Sequence, residues 1–168
     1  MRAIIFQSSW GWVTVAASSK GVTAIDLSPT VPRKEVFAAA CGEDAAVTKL
    51  LGDARAQLLA YFAGTMREFS LPLDLSGGTS FQRKVWTAIQ RIPYGRVRSY
   101  QWVALRVGGK QYARAVGMAL GANPVPVVVP CHRIIAHDGS LGGFSCGLTL
   151  KRRLLALEGT LAQLRRVR

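Results

Sequence analysis

Beyond residue 76 this sequence has almost no acid: Asp138 and Glu158 are the two carboxylates there. Histidine is just as scarce, with His132 and His137 alone, and cysteine occurs three times, as Cys41, Cys131 and Cys146. Three widely spaced thiols exclude a secreted disulfide framework, and the lack of a CxxC pair removes the usual zinc signature. A Cys/His metal site would have to combine Cys131, His132, His137 and Cys146. Adjacent residues of a strand point to opposite faces, so no metal is expected, and no cofactor either. No apolar run reaches the ~18 residues of a membrane-spanning helix. The start, "MRAIIFQSSWGWVTVAASSKG", alternates like a strand and has no convincing signal-peptide cleavage pattern, which reads as a cytoplasmic protein. Repeats and low-complexity segments are absent.

What is present is a chain able to bury a core: 168 residues, 49% hydrophobic and 18% charged, enough for one domain or two small ones. The net charge is +13 and it is unevenly placed. Residues 1–76 hold seven Lys/Arg and seven Asp/Glu, so the other fifteen basic residues face only two acids. A field of that size resists compaction and favours a polyanion, nucleic acid first and a membrane surface second. The shift coincides with "SGGTS", residues 76–80, the best linker candidate. A boundary is therefore expected between 1–76 and 77–168.

The first part reads as α+β. "RAIIF", "WVTVAA" and "GVTAIDL" form an antiparallel meander, "VPRKEVFAAACG" a short helix, and "DAAVTKLLGDARAQLLAYFAG" a longer one with Val47, Leu50, Leu51, Leu58, Leu59 and Phe62 on one face. "FSLPLDL" is extended. In the second part, Thr79 or Ser80 caps a helix that carries Phe81, Val85, Trp86 and Ile89 inward and stops at Pro93 and Gly95. A helix after Ser99, a turn at Gly108-Gly109 and a helix from about Gln111 to Leu120 fit a helix-turn-helix. "PVPVVVPCHRIIAHDGSLGGFS" reads as an extended run, a turn at Asp138-Gly139 and a Gly-rich loop. "LTLKRRLLALEG" closes with a helix that turns Leu148, Leu150, Leu154, Leu155 and Leu157 inward. The second of the paired helices, "ARAVGMALG", carries one charge, Arg114, among small residues. It offers little to read base edges with, and its smallness permits close approach, as in sequence-independent minor-groove binding.

A thiol becomes a nucleophile when a base or positive charge takes its proton. In "VVVPCHRII" Cys131 has His132 beside it, and a carboxylate could orient that imidazole. Glu158, at the end of a well-patterned helix, suits this better than Asp138 on a turn. A free cysteine is more often a buried, inert residue. Local sequence leaves both readings open.

"NPVPVVVPCHRII" resembles the active-site segment of the O6-alkylguanine-DNA alkyltransferases, the methylated-DNA–protein-cysteine methyltransferase family. The likeness extends through "FQRKVWTAIQRIPYGRVRSYQWVA", "ARAVGMALGANPVPVVVPCHRII" and "GSLGGFSCGLTLKRRLLALEG", nearly all of 79–159. It implies an N-terminal ribonuclease H-like domain and a C-terminal winged-helix-like domain. It implies that Cys131 accepts the alkyl group of O6-alkylguanine, or of O4-alkylthymine, in duplex DNA and keeps it, one lesion per molecule. By the same resemblance His132 is the base through a water, Glu158 holds His132, and Tyr100 donates toward guanine N3. Arg114 is the finger that fills the stack when the nucleotide rotates out. Ala113, Ala115, Gly117, Tyr112 and Ser99 accompany it on the DNA. Asn123 ties the helix-turn-helix to the thiol segment; Pro126, Ile134, Phe144 and Ser145 line the pocket with it. Backbone carbonyls of Cys131 and Ile134 accept from the base's amine. The implied protein is a monomer that can cluster on DNA.

Four residues depart from the family pattern. Phe144 replaces a common Tyr, Cys146 a common Gly, and Tyr112 and Met118 replace small residues on the second helix. They bear on alkyl size and DNA affinity rather than on the reaction. Two other classes compete: a helix-turn-helix binding or damage-sensing module without chemistry, and a thiol hydrolase that turns over. Arg133 reads as a structural ion, His137 as a solvated turn residue, and Trp86 and Trp102 as core.

Overall fold

Alternating apolar residues build the first strands. In the computed structural model, which describes residues 1–30 and 44–164 apart from the side chain of residue 163, β1 (Arg2–Ser8), β2 (Gly11–Ser18) and β3 (Gly21–Ser28) form an antiparallel sheet in sequence order. Ile4 pairs with Val15 and Val15 with Ile25, which stacks β-branched side chains across the sheet. The segment "FSLPLDL" runs beside β3: Val22 donates its N–H to Pro72 O at 2.8 Å, and Asp74 donates to Val22 O at 2.9 Å. The helix expected over "VPRKEVFAAACG", and Cys41 with it, fall outside the described residues. α1 (Ala45–Phe62) starts where Asp44 Oδ1 accepts from Ala46 and Val47 N–H, satisfying donors that a helix start leaves open. It buries Val47, Leu51, Ala54, Leu58, Tyr61 and Phe62, while Leu50 and Leu59 stay half-buried. Met1–Leu75 form one compact unit and Ser76–Arg168 another.

The second unit opens with α2 (Ser80–Gln90). Thr79 Oγ1 accepts from Gln82 N–H and Gln82 Oε1 accepts from Thr79 N–H, a reciprocal capping box. Val85, Trp86 and Ile89 face inward, and Trp86 Nε1 donates to Ala119 O at 2.8 Å, fixing α2 against the helix that carries Ala119. α3 (Tyr100–Val107) is capped by Ser99, whose Oγ accepts from Trp102 N–H. Trp102 is half-buried, with the Arg106 guanidinium 3.4 Å over its ring, so it is less of a core residue than Trp86. Gly109 turns the chain at φ 136°, open to glycine alone without strain, and a 3₁₀ turn at Lys110–Tyr112 leads into α4 (Ala113–Gly121). The helix begins two residues later than its spacing predicts. β4 (Arg98–Ser99) and β5 (Ile134–Ile135) form a parallel pair beside these helices.

The extended run expected through "VVVPCHRII" is corrected: only Ile134 and Ile135 are strand, and Cys131–Arg133 is a 3₁₀ turn. Pro124, Pro126 and Pro130 have no N–H for a ladder. Val127 takes φ 76°, and Val129 N–H reaches back to Val125 O at 2.9 Å, closing the chain on itself. A β-branched residue there is strained by about 1–3 kcal/mol. The surrounding burial of Val125, Val127 and Val129 holds it in place.

α5 (Leu148–Leu157) also differs from expectation. Leu148 is 49% exposed, Leu150 and Leu157 are half-buried, and Lys151 lies fully buried beside Leu154 and Leu155. Gly159, at φ 72°, ends α5, with Thr160 N–H donating to Leu155 O. A short α6 (Leu161–Leu164) follows.

Candidate active site

Cys131 is 4% exposed and forms part of a cavity of about 290 Å³. Tyr100, Gly117, Gly121, Phe144 and Ser145 also line it, so α3, α4, the thiol turn and the loop before α5 converge on one space. Asn123, just past α4, fixes the thiol. Its Nδ2 donates to Val129 O at 2.9 Å and to Cys131 Sγ at 3.1 Å, and its Oδ1 accepts from Val125 N–H at 3.0 Å. One buried amide thus ties the end of the helix-turn-helix to both sides of the Val127 turn. Burial pushes the Cys131 thiol up to about 11; the Asn123 hydrogen bond and the charge of Lys151 work the other way. At neutral pH the group rests as a thiol and needs a base.

Behind the thiol runs a chain of buried polar groups. His132 Nε2 lies 2.9 Å from Glu158 Oε1. Arg133 grips the same carboxylate, Nη2 to Oε1 at 2.8 Å and Nε to Oε2 at 3.0 Å, and its Nη1 donates to Ile92 O at 2.6 Å. Gly95 N–H donates to Glu158 Oε2 at 3.2 Å. A carboxylate at a helix C-terminus is disfavoured by the helix dipole. Glu158 stays there because its partners outweigh that. Burial alone raises the Glu158 carboxyl, but the hydrogen bonds from His132 and Arg133 overcome it and hold the group at about 2. Burial lowers His132 below its ordinary value, with the Glu158 contact opposing, so the imidazole is neutral. A neutral imidazole with Nε2 committed to a carboxylate carries its basic lone pair on Nδ1. Arg133, read from sequence as a structural ion, is the bidentate partner of the carboxylate.

The Tyr100 hydroxyl borders the cavity, accepting from Gly143 N–H at 3.2 Å. Desolvation raises its pKa, which keeps it a phenol. Gly142 has φ 64°, and a Cβ there would come within 2.7 Å of the Tyr100 oxygen, so the loop can pass the phenol only as glycine. Lys151 secures the same loop from beneath: its Nζ donates to Ile134 O at 2.5 Å, to Gly143 O at 3.0 Å and to Leu141 O. Burial lowers this ammonium to about 8. Sequence reasoning missed Lys151. In "LTLKRRLLALEG" it looks like the first of three solvated cations, yet helical spacing sets it on the stripe of Leu154, Leu155 and Glu158.

Of the other residues named from sequence, Phe144 and Ser145 line the cavity, whereas Asn123, Pro126 and Ile134 are buried, and Ile134 O already accepts from Lys151. Gly117 faces the cavity, 3.8 Å from the Tyr100 ring by the position a Cβ would take. Arg114 and Tyr112 are exposed, Ala113, Ala115 and Ser99 half-buried, and the Tyr112 ring tilts against Phe81 at 5.7 Å. Met118 is 72% exposed one helical turn beyond Arg114. His137 is exposed on its turn.

Fold and site define a class: a helix-turn-helix unit with a clamped thiol at the wall of a cavity and a carboxylate-held imidazole next to it in sequence, joined to a small α/β unit. The family model for the DNA-binding domain of 6-O-methylguanine DNA methyltransferase matches residues 80–160, and that for the ribonuclease-like domain matches residues 1–75. A methylated-DNA–protein-cysteine methyltransferase of Mycolicibacterium paratuberculosis is 55% identical over 102 residues, a match spanning 61% of this chain and 61% of that protein. One of the same name from Methanosarcina acetivorans is 36% identical over 95% of this chain and 99% of its own length. The Mycobacterium tuberculosis OGT solved in complex with DNA superposes with TM-score 0.80 at 39% identity, covering 94% of this chain and 92% of that one. The chain belongs to the 6-O-methylguanine DNA methyltransferase family.

Proposed function

We propose that the chain repairs alkylated DNA by direct reversal, moving the alkyl group of O6-alkylguanine, and of O4-alkylthymine, irreversibly onto Cys131. The observation that carries this is Cys131 Sγ at the wall of the cavity, clamped by Asn123, with the His132–Glu158–Arg133 chain adjoining it. The relatives named for this reaction support it.

Inside a duplex the O6 substituent cannot be reached in line, so the damaged nucleotide rotates out into the cavity. Arg114, exposed on α4, fills the gap in the stack. The small residues of α4 admit it to the minor groove without sequence preference. The thiol proton passes through a water to His132 Nδ1, and Glu158 stabilises the imidazolium that results. Sulfur then forms its bond to the alkyl carbon as the carbon–O6 bond breaks. Tyr100 gives its phenolic proton toward guanine N3, so the base need not leave as an anion. The Ser145 N–H donates to O6 and the Cys131 carbonyl receives the exocyclic amine, joined by Ile134 O through the lone pair that Lys151 Nζ leaves open. The thioether has no route back to a thiol, so each molecule acts once. This is the work of a monomer, able to gather on DNA, in the cytoplasm.

The test is stoichiometric. Incubation with duplex DNA containing O6-methylguanine is expected to add one methylene mass to the Cys131 peptide, one equivalent per protein. An unmodified peptide with DNA bound sinks the proposal. Cys131→Ser separates this reading from a damage sensor: the variant is expected to bind the lesion and repair nothing.

A further inference from the structure

A second groove lies away from the cavity. It runs along the outer face of α2 and is closed by the last turn of α3, about 490 Å³ in volume. Arg83 and Lys84 line it from α2, Arg91 from the C-terminal cap of that helix and Arg106 from α3, all four exposed. Among the described residues none of the four pairs with a carboxylate. Two are nonetheless held in place. Arg83 Nη1 donates to Gly78 O at 2.5 Å, and the Arg106 guanidinium lies over the Trp102 ring. Exposed Thr87 and Ser80 add hydroxyls between the cations.

Four like charges in one concavity repel each other unless an anion occupies it. The groove is also shaped for a particular anion. Arg83 and the C-cap residue Arg91 are eight residues apart, about 12 Å along the axis of α2. That is the axial advance of three to four nucleotides of one strand, at about 3.4 Å each. The stripe faces away from α4, because Val85, Trp86 and Ile89 on the other side of α2 turn inward and Trp86 bonds Ala119 of α4. A duplex seated on Arg114 therefore does not fill it. The chain's own acids are poor occupants: Glu158 is buried, Asp138 accepts from Ser140 N–H on its own turn, and the seven acids of residues 1–76 are matched by seven bases.

We propose that the groove between α2 and the end of α3 is a second seat for a nucleic-acid phosphate backbone, distinct from the face that α4 presents. It rests on the proposed function only for the identity of the polyanion. One molecule then holds two duplex segments, the inspected one on α4 and a neighbouring one on α2.

The experiment uses the full chain with two undamaged duplexes, one immobilised and one fluorescent, at low salt. The wild type is expected to capture the second duplex at about one per protein. Lys84→Glu/Arg91→Glu, at two exposed positions without described intramolecular partners, is expected to lower that capture at least tenfold. The same variant is expected to change first-duplex affinity less than threefold and to leave alkylation of Cys131 by a free O6-alkylguanine base unchanged. No capture by the wild type, equal capture by the variant, or equal loss of both duplexes overturns the proposal. So does a polyglutamate peptide of matching charge that displaces the second duplex as well as DNA does. Repair without capture sinks the second seat alone; capture without repair sinks the proposed function alone.

Discussion

Glu158→Gln is the sharpest perturbation of the buried chain. The wild-type carboxylate takes contacts of 2.8 to 3.2 Å from His132, Arg133 and Gly95. Glutamine keeps one acceptor, but its amide sets a donor against donors and leaves the Arg133 charge buried without a counter-ion. Removing one partner of a buried ion pair costs about 3–5 kcal/mol. At about 2–4 °C per kcal/mol for a chain of this size, Tm at pH 7 is expected to fall by roughly 6–20 °C. The depressed carboxyl leads to a second figure. The Glu158 carboxyl sits at about 2 in the fold against 4.5 ordinarily. At about 1.4 kcal/mol per unit that is about 3 kcal/mol, the low end of the same range. Its sign is fixed: a depressed carboxyl gives stability that is whole above pH 4.5 and disappears as pH falls toward 2. His132, neutral in the fold, adds loss in the same direction as pH drops below its ordinary 6.5. Thermal unfolding followed by circular dichroism at pH 7, 5, 4 and 3 checks both. The wild type loses Tm steeply below pH 5, and the variant starts lower and loses less. A variant with Tm within 2 °C of wild type at pH 7, or with the same acid slope, refutes the reasoning.

Asn123→Ala removes the clamp and leaves Val125 N–H buried without its partner, while Val129 O keeps the Cys131 N–H. At about 1–3 kcal/mol for such a group, the urea midpoint is expected to drop by the equivalent of about 1–3 kcal/mol. Lys151→Met keeps the volume but strips the donor from three carbonyls. It is expected to destabilise by about 2–4 kcal/mol and to slow alkyl transfer, since the loop that holds Tyr100 loses its anchor; unchanged transfer kinetics tell against that role. Arg114→Ala is expected to slow repair in duplex DNA more than reaction with the free modified base, and equal slowing of both argues against a finger. The logarithm of the affinity for undamaged duplex is expected to fall linearly with the logarithm of salt, and a flat response contradicts the basic-face assignment.

Local signals in the sequence were strong wherever one element decides its own shape. The meander and the helix start at Thr79 follow from alternation and from a single capping side chain. The thiol segment is different. Three valines and two isoleucines suggest a strand, but the prolines and Asn123 impose a turn, and that outcome depends on a residue eight positions away. Lys151 is similar. Its charge suggests solvent, and its burial makes sense only once the carbonyls of Ile134, Leu141 and Gly143 are brought over α5. Cys131, His132 and Glu158 stood out by their own chemistry with two readings left open, and their roles, like Tyr100 and Asn123 themselves, came through the resemblance; the groove on α2 was hidden because its cations come from two helices.

Glu158 joins residues 95, 132–133 and 158, so three stretches far apart in sequence meet on one carboxylate. A mutational screen scored on survival after alkylation will therefore misreport it. Every change at Glu158 will look like lost chemistry whether the base or the fold failed first. At Cys131 and Tyr100 the same phenotype will come from a folded protein. Abundance has to be measured beside survival before a role is read from the screen.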